Sequence, residues 1–243
     1  MDGTIRARMD WADVDPGEAS EAIAAAAIAT LDWAALANVK PAPKAFVIPW
    51  FAPAGEVTLF TGPGSAGKSL LAQQLATALA AGVPTLRLEM GQAPAIYLTC
   101  EDDEGQLHWR QEHICKALGV PVASLADKLH VASLRGALDN ALGAEGPDGE
   151  FTLSASYHRL AAMIRRTGAK LVALDNVAHL FAGNENDRGE VTRFVNALNR
   201  LSGESGAAII LLGHPNKAGD SYSGSTAWLN AVRSQFTIEH DLQ

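Results

Sequence analysis

The chain has 243 residues, of which 48% are apolar, and this content is enough to bury the core of a globular domain. Disordered and fibrous classes of protein are therefore excluded. The formal net charge of −8 argues against a protein whose whole surface coats nucleic acid, although it leaves room for a local basic channel.

Neither a membrane span nor a signal peptide is predicted from the sequence. The alanine-rich apolar run at residues 22–31 is shorter than the roughly 20 residues that cross a bilayer. The mixed-charge N-terminus is not followed by the apolar core of a signal peptide. We therefore expect a cytoplasmic protein that does not interact with a membrane.

Residues 1–44 are predicted to form a helical arm and a linker ahead of the main domain. The segment Asp15–Glu18 contains residues that open a helix, and an alanine-rich stretch follows it. The prolines of Lys40–Lys44 then end the helical pattern. We interpret the arm as a docking segment and residues 45–243 as a single domain.

From Ala45 onward, short apolar runs alternate with helical patterns. Strands are predicted near 56–61, 95–100, 129–133, 170–175, 207–213 and 234–239, and helices near 68–81, 104–118, 155–167 and 188–203. This alternation predicts an α/β fold with a mainly parallel, twisted sheet covered by helices on both faces. Residues 135–150, rich in glycine, alanine and acids, are interpreted as a surface loop.

The segment 62–69 reads GPGSAGKS and fits the phosphate-loop pattern G-x-x-x-x-G-K-[ST] between a predicted strand and a predicted helix. Glycines let the loop backbone wrap around phosphate oxygens, while its N–H groups and the helix N-terminus supply positive potential. Lys68 is expected to reach the β and γ phosphates, and the Ser69 hydroxyl to bind Mg²⁺. The predicted phosphate-binding residues are Gly62, Pro63, Gly64, Ser65, Ala66, Gly67, Lys68 and Ser69.

Asp175 ends the apolar strand predicted at 170–175. This is the position of the acid that holds Mg²⁺ through water opposite a phosphate loop. The alternative is an ordinary aspartate that caps the turn after its strand. The upstream phosphate loop favours the metal-binding interpretation.

Four acids follow the strand predicted at 95–100, and they are Glu101, Asp102, Asp103 and Glu104. Glu101 comes first and is chosen as the general base that orients water. Asp102 and Asp103 are expected to cap the following helix. The alternative is that all four acids only favour the N-terminus of that helix.

His214 follows the strand predicted at 207–213, and from this sheet edge a histidine can sense a γ-phosphate through a hydrogen bond. A structural histidine is the alternative. Two basic residues, Lys217 and Arg188, lie in loops that follow predicted strands and are candidates for contact with nucleic acid. Otherwise they belong to a solvated surface.

Residues 224–233 predict a helix that begins at Ser225 or Thr226 and leads into the last strand. Arg233, at the end of this segment, is a candidate arginine finger, a cation that stabilises charge on a phosphoryl group in the transition state. The alternative is a surface ion pair. The two cysteines, Cys100 and Cys115, have no metal-site spacing and are interpreted as buried free thiols.

Five segments, taken in order, resemble the RecA-like ATPases grouped with the plasmid RepA-type hexameric replicative helicases. They are GPGSAGKSLLAQQLA, YLTCEDDE, LVALDN, LLGHPNK and GSTAWLNAVRS, and they cover roughly residues 46–240. Members of that family continue for several strands after the arginine segment, so we expect either a truncated or a minimal domain here.

The resemblance implies a RecA-like fold, ATP and Mg²⁺ as cofactors, a homo-oligomer in the form of a hexameric ring, and single-stranded DNA as a partner. It implies that Lys68 and Ser69 bind triphosphate and Mg²⁺. The other implied roles are catalytic base for Glu101, Mg²⁺ acid for Asp175, γ-phosphate sensor for His214, and a finger acting on the neighbouring subunit's nucleotide for Arg233.

The sequence therefore predicts a Mg²⁺-dependent ATPase that couples hydrolysis to DNA unwinding or remodelling in plasmid or phage replication. A nucleotide-dependent assembly switch or loader, which binds partners through the N-terminal arm, is the first alternative. A small-molecule kinase that uses the same loop is the second. A kinase needs an acceptor pocket and a lid, and the sequence does not reveal either of them.

Overall fold

A computed structural model describes residues 30–146, 149–213 and 226–239. Within these ranges, no helix is long and apolar enough to cross a membrane. The chain divides into two compact units, Met1–Pro43 and Lys44–Gln243.

The described part of the first unit contains one short helix, α1, at Trp33–Leu36. Asp32 caps this helix, because its Oδ1 accepts the backbone N–H groups of Ala34 and Ala35 at 2.9 and 3.0 Å. The helix predicted earlier in the arm lies outside the described residues, and docking by the arm stays a prediction.

The strands described in the second unit form a central sheet and two small hairpins. They are β1 (Phe46–Ile48), β2 (Ala52–Pro53), β3 (Val57–Thr61), β4 (Ala95–Thr99), β5 (Leu129–Ser133), β6 (Gly143–Glu145), β7 (Phe151–Leu153), β8 (Leu171–Asp175), β9 (Ala208–Leu212) and β10 (Ser234–Thr237). The central sheet has the order β10-β3-β9-β8-β4-β5, and every neighbouring pair in it is parallel. The pairs β1–β2 and β6–β7 are antiparallel.

Helices cover both faces of the central sheet. They are α2 (Lys68–Ala81), α3 (Glu104–Leu118), α4 (Ala155–Thr167), α5 (Val177–Leu180), α6 (Arg188–Ser205) and α7 (Thr226–Ala231). Side chains of α2 and α3 pack on one face, and side chains of α4, α6 and α7 pack on the other. The predicted α/β fold with a parallel sheet between helical layers is confirmed.

The two middle strands show why the sequence forms this sheet. Every residue of β8 and β9 is buried, and both strands consist of nearly continuous apolar runs. A parallel strand that is covered on both faces needs such a run instead of an alternating pattern. Along β9, Ile209 and Leu211 face one helical layer while Ile210 and Leu212 face the other.

The interpretation of residues 135–150 as a surface loop was wrong in part. β6 lies in this range and pairs with β7, and Leu142 just before it is buried in the core. The strands pack so closely that a Cβ added to Gly143 would lie 2.6 Å from the Phe151 ring. The glycines and acids that suggested a loop therefore include one glycine that permits a close strand contact.

Candidate phosphate-binding and catalytic site

The predicted phosphate loop joins the carboxyl end of β3 to the N-terminus of α2. Gly67, just before the helix, has a φ of 90°, a backbone angle that residues other than glycine rarely adopt. At the other end of the loop, a Cβ on Gly62 would lie 2.8 Å from the carbonyl oxygen of Ile238. Both glycines are therefore required by the local backbone, and the N-terminus of α2, toward which helix N–H groups point, meets the loop.

Lys68 places its ammonium group inside this loop. The side chain is buried, and Nζ donates hydrogen bonds to the carbonyl oxygens of Gly62 and Pro63 at 2.8 and 2.9 Å. Burial lowers the pKa of Lys68, while the nearby carboxylates of Asp175 and Glu101 act in the opposite direction. The Lys68 ammonium is thus enclosed by the backbone of the phosphate loop, and the two carboxylates lie close enough to influence its pKa.

Asp175 lies at the end of β8 beside the start of α2. Its carboxylate forms a hydrogen bond with the side chain of Ser69, and its Oδ2 accepts a hydrogen bond from the Tyr97 hydroxyl at 2.7 Å. Burial raises the pKa of Asp175, and the two hydrogen bonds lower it. A hydroxyl oxygen next to a carboxylate is a pair of hard oxygen donors of the kind that Mg²⁺ prefers, so these residues fit the predicted metal.

The register of the sheet explains why these side chains meet. The pairs Phe60–Leu212, Leu212–Asp175 and Asp175–Thr99 are Cα partners, so four strands reach the same level at this edge. The phosphate loop starts two residues after Phe60, and Glu101 comes two residues after Thr99. Strand alignment therefore brings the loop and both predicted acids to one edge of the sheet, where ligands bind in open α/β folds.

Glu101 extends from this edge with its residue exposed to solvent. Its Oε1 accepts a hydrogen bond from Nδ2 of Asn176 at 2.5 Å. The hydroxyl of Thr99 accepts the backbone N–H groups of Glu101 and Asp102 at 3.2 and 3.4 Å, which fixes the turn after β4. An oriented carboxylate with access to water is what a general base requires.

The acids after Glu101 have two different environments. Asp103 is the N-cap of α3, since its Oδ1 accepts the N–H of Gln106 at 2.8 Å, as predicted. The same prediction for Asp102 was wrong, because its carboxylate forms an ion pair with Arg110 at 2.7 Å. Arg110 is buried between α2 and α3, where it also donates to Oε1 of Gln73, and a buried guanidinium needs an acceptor of this kind.

Sequence reasoning missed Asn176 and Arg110. Asn176 directly follows the strand-ending acid, and polar residues at that position reach the same sheet edge as the acid itself. Arg110 lies within the helix predicted near 104–118, where an arginine is usually interpreted as a surface residue. The available signal in the sequence was its spacing of three residues from Leu107 and four from Ile114, which puts it on the apolar face of the helix.

The remaining predicted residues lie apart from this cluster or outside the described residues. Arg188 is the first residue of α6 and is exposed, after a loop that follows β8 and α5. His214 and Lys217 lie outside the described residues. Their predicted roles therefore stay predictions.

Arg233 is exposed and directly precedes β10. Because Ser234 is the Cα partner of Thr58, Arg233 lies beside the amino end of β3, and the phosphate loop lies beyond its carboxyl end. The three steps along the strand from Thr58 to Thr61 alone account for about 10 Å. The chain therefore keeps Arg233 away from its own phosphate loop.

The free thiols Cys100 and Cys115 are both buried, as predicted. Burial, together with the neighbouring Asp175 and Glu101 carboxylates, raises the pKa of Cys100 to about 11. The Cys100 thiol beside the site therefore stays protonated and uncharged at neutral pH, and it does not form a reactive thiolate there.

The family model described as an AAA domain matches residues 24–220, which is most of the chain and includes the phosphate loop, Glu101 and Asp175. The matching range agrees with the structure, in which a parallel α/β sheet presents a phosphate loop at its carboxyl edge. The chain therefore belongs to the AAA domain family of P-loop ATPases.

Proposed function

We propose that this protein is an oligomeric RecA-like ATPase that hydrolyses ATP with Mg²⁺ and acts as a replicative DNA helicase or DNA-remodelling ATPase of plasmid or phage type. The observation that best supports hydrolysis is the placement of Glu101. The residue is exposed to solvent, its carboxylate accepts a hydrogen bond from Asn176, and it follows a strand that ends at the same sheet edge as the phosphate loop and Asp175.

Phosphate binding is the role of the loop and Lys68. The backbone N–H groups of the loop and of the first turn of α2 bind phosphate oxygens, and the Lys68 ammonium neutralises the β and γ phosphates. Ser69 and Asp175 are the residues that would hold Mg²⁺. When bound, Mg²⁺ neutralises negative charge that develops on the transferred phosphoryl group.

Glu101 acts on water. Its carboxylate orients a water molecule for attack on the γ-phosphorus and accepts the proton that this water releases. The β–γ bridging oxygen leaves on the β-phosphate of ADP with the electron pair of the bond that breaks, and the products are ADP and inorganic phosphate. Burial lowers the pKa of Lys68, and the Asp175 and Glu101 carboxylates oppose this shift by favouring the charged ammonium.

Two further residues complete the proposed mechanism. His214, two residues after the end of β9 in the sequence, senses the γ-phosphate. Arg233 acts as a finger on the nucleotide of the neighbouring subunit, and its separation from its own phosphate loop supports action in trans rather than in cis. A homo-oligomer, in the simplest case a hexameric ring, is part of this proposal.

Single-stranded DNA is the proposed partner of the assembled ring. Arg188 and Lys217 are the basic residues proposed to face the DNA, and assembly multiplies their small number around one strand. The net charge of −8 makes this binding weak and dependent on salt. The alternative function, a nucleotide-dependent assembly switch or loader, does not require contact between these basic residues and DNA.

Two measurements test the proposal. Release of phosphate from ATP without an added acceptor is expected, and release only with an acceptor would instead indicate a kinase. Glu101→Gln, purified in parallel, controls for contaminating ATPases. On forked DNA, strand displacement that requires ATP supports a helicase, whereas ATP hydrolysis without displacement and without nucleotide-dependent binding of single-stranded DNA supports the assembly switch.

A further inference from the structure

Asn176 connects the end of β8 to the proposed catalytic base. The residue is buried, and its Nδ2 lies 2.5 Å from Oε1 of Glu101. Its Oδ1 accepts the backbone N–H of Ala178 at 3.0 Å and so caps α5. Because the cap requires the oxygen of the amide, the amide nitrogen is the atom that faces Glu101.

The backbone segments that carry Glu101 and Asn176 are also joined to each other by a hydrogen bond. The N–H of Cys100 donates to the carbonyl oxygen of Asp175 at 2.7 Å, directly before Glu101 and Asn176 in the two segments. Thr99 and Asp175 are Cα partners in the sheet. The hydrogen bond between the side chains therefore spans two segments whose backbones are already joined.

We propose that Asn176 is a positioning residue for ATP hydrolysis, and that it holds the Glu101 carboxylate in the orientation in which the carboxylate accepts a proton from the attacking water. This inference rests on the proposed function and adds a residue to it. The glutamate side chain has three rotatable bonds, and on an exposed residue it would sample several orientations. One bond to a buried, fixed amide restricts that freedom.

The bond to Asn176 leaves Glu101 able to act as a base. An ionised carboxylate has about four acceptor sites, so one hydrogen bond from an amide does not prevent it from accepting a proton. Displacement of a catalytic group by about 1 Å costs about a hundredfold in rate. The expected consequence of losing the amide is a lower kcat with unchanged binding of nucleotide, since Asn176 has no proposed contact with the phosphates.

Capping of α5 is the competing explanation for Asn176, and Asn176→Asp separates the two roles. Aspartate has nearly the same shape as asparagine and caps helices equally well. It lacks the amide donor and places a second carboxylate against Glu101. A capping role predicts wild-type kcat for this variant, and a positioning role predicts a loss.

The experiment uses the full chain. Equilibrium titration with a fluorescent ATP analogue gives Kd, and single-turnover hydrolysis of labelled ATP gives the rate of the chemical step. Asn176→Asp is expected to bind with a Kd within about twofold of wild type and to hydrolyse about tenfold to a hundredfold more slowly. Asn176→Ser, which keeps a capping oxygen without adding charge, is the second variant if Asn176→Asp does not fold.

Asn199→Asp is the matched control. Oδ1 of Asn199 also accepts a backbone N–H, that of Val57 at 3.2 Å, and the residue lies on α6 away from Glu101. The same change from amide to carboxylate is expected to leave kcat at the wild-type value there. A similar loss in Asn199→Asp would mean that an added charge, not the lost contact, lowers the rate.

The variant Glu101→Gln distinguishes failure of this inference from failure of the proposed function. If Asn176 acts through Glu101, Asn176→Asp causes no further loss in the Glu101→Gln background. Wild-type hydrolysis by Asn176→Asp and Asn176→Ser, or the same loss with and without Glu101, would overturn the positioning role. Wild-type hydrolysis by Glu101→Gln would instead overturn the choice of base.

Discussion

Tyr97 donates its phenolic hydrogen to Oδ2 of Asp175 at 2.7 Å, between the neighbouring strands β4 and β8. Both residues are buried. Burial raises the pKa of Tyr97, and the Asp175 carboxylate raises it further, so the hydroxyl remains a donor at all ordinary pH values. Tyr97 and Ser69 therefore orient the proposed Mg²⁺ acid by two separate hydrogen bonds.

Tyr97→Phe is expected to lower the free energy of unfolding by about 1.5–3 kcal/mol, because a buried carboxylate loses a charge-assisted hydrogen bond. Urea denaturation at neutral pH measures this loss. The same variant is expected to need a higher Mg²⁺ concentration for half-maximal ATP binding, because Asp175 is less well oriented.

Tyr157→Phe is the control for this prediction. The hydroxyl of Tyr157 donates to a neutral acceptor, the carbonyl oxygen of Ala197, at 3.2 Å. Its loss is expected to cost about 1 kcal/mol and to leave the Mg²⁺ requirement unchanged. Equal effects of the two substitutions on stability and on Mg²⁺ would contradict the proposed support of Asp175.

Lys68→Ala and Glu101→Gln are expected to fail at different steps. Lys68→Ala loses tight binding of triphosphate because the buried cation inside the loop is removed. Glu101→Gln keeps binding and loses turnover because the amide cannot accept a proton. Equilibrium titration and steady-state phosphate release distinguish the two outcomes.

Lys116→Ala is the control for loss of a positive charge, since Lys116 is exposed on α3. It is expected to bind and hydrolyse ATP as wild type does. If Glu101→Gln turns over at the wild-type rate, the proposed base is wrong, and Asp102 or Asp103 becomes the candidate.

The ion pair between Asp102 and Arg110 is expected to matter more for stability than the one between Asp103 and Arg135. The first pair is mostly buried, with 22% and 11% of the side chains exposed, whereas the second has 60% and 59% exposed. Asp102→Asn leaves a buried guanidinium without its carboxylate and is expected to lower the free energy of unfolding by about 1–3 kcal/mol.

Asp103→Asn serves as the matched variant, because asparagine keeps the N-cap of α3 and loses only a surface ion pair. It is expected to change the free energy of unfolding by less than about 0.5 kcal/mol. Urea denaturation of both variants gives the comparison. An equal loss for the two would mean that the Arg110 pair is no more stabilising than a surface pair.

The parts of the fold that the sequence predicts are those encoded by neighbouring residues. Apolar runs predict β8 and β9, and the loop pattern with its glycines predicts the turn between β3 and α2. Contacts between distant segments are different. The bond from Asn176 to Glu101 joins residues 75 positions apart, and the register that aligns β4 with β8 has no local sequence signal.

The ion pair between Asp102 and Arg110 is a second contact that the sequence does not predict, although the two residues are close in the chain. Asp102 and Arg110 lie eight positions apart across a helix start, and the sequence pattern shows only a run of acids at that start. Which acid caps and which forms the pair depends on the buried Gln73 on α2, which places Arg110 between the helices. Packing, and not propensity, decided the roles of the two acids.

Cys100 is expected to resist alkylation at pH 8 in the folded protein. With the pKa raised from 9.0 to about 11, the stability from this shift is present below the lower value and is lost as the pH rises toward the higher one. At pH 8 the thiolate fraction is about 1 in 1,000 when folded and about 1 in 10 when unfolded. The folded thiol should therefore react about a hundredfold more slowly, before any effect of limited access.

The measurement uses Cys115→Ser, in which Cys100 is the only thiol of the chain. Iodoacetamide labelling is followed with and without urea, in the presence of EDTA and without nucleotide. The rate in the folded protein should rise about tenfold per pH unit up to the raised pKa. Equal rates with and without urea at pH 8 would contradict a buried thiol with a raised pKa.

Substitution of Arg233 tests whether each active site requires a residue from the neighbouring subunit. The position of Arg233 beside the amino end of β3 places it at the opposite end of that strand from its own phosphate loop. Arg233→Ala is expected to bind ATP normally and to hydrolyse it slower by a factor on the order of 10³, the size of an arginine-finger contribution. Arg200→Ala, which removes an exposed pair with Glu204, should have almost no effect.

Mixing Arg233→Ala with Lys68→Ala tests whether the arginine acts in trans. Each variant alone is expected to be nearly inactive, since one lacks the finger and the other lacks the phosphate-binding cation. In a mixed assembly, an intact loop of the first variant meets an intact Arg233 of the second, and part of the activity should return. If co-assembly is proven and the mixture is no more active than the sum of its parts, Arg233 does not act on the neighbouring nucleotide. Wild-type turnover by Arg233→Ala alone would exclude the finger in either subunit.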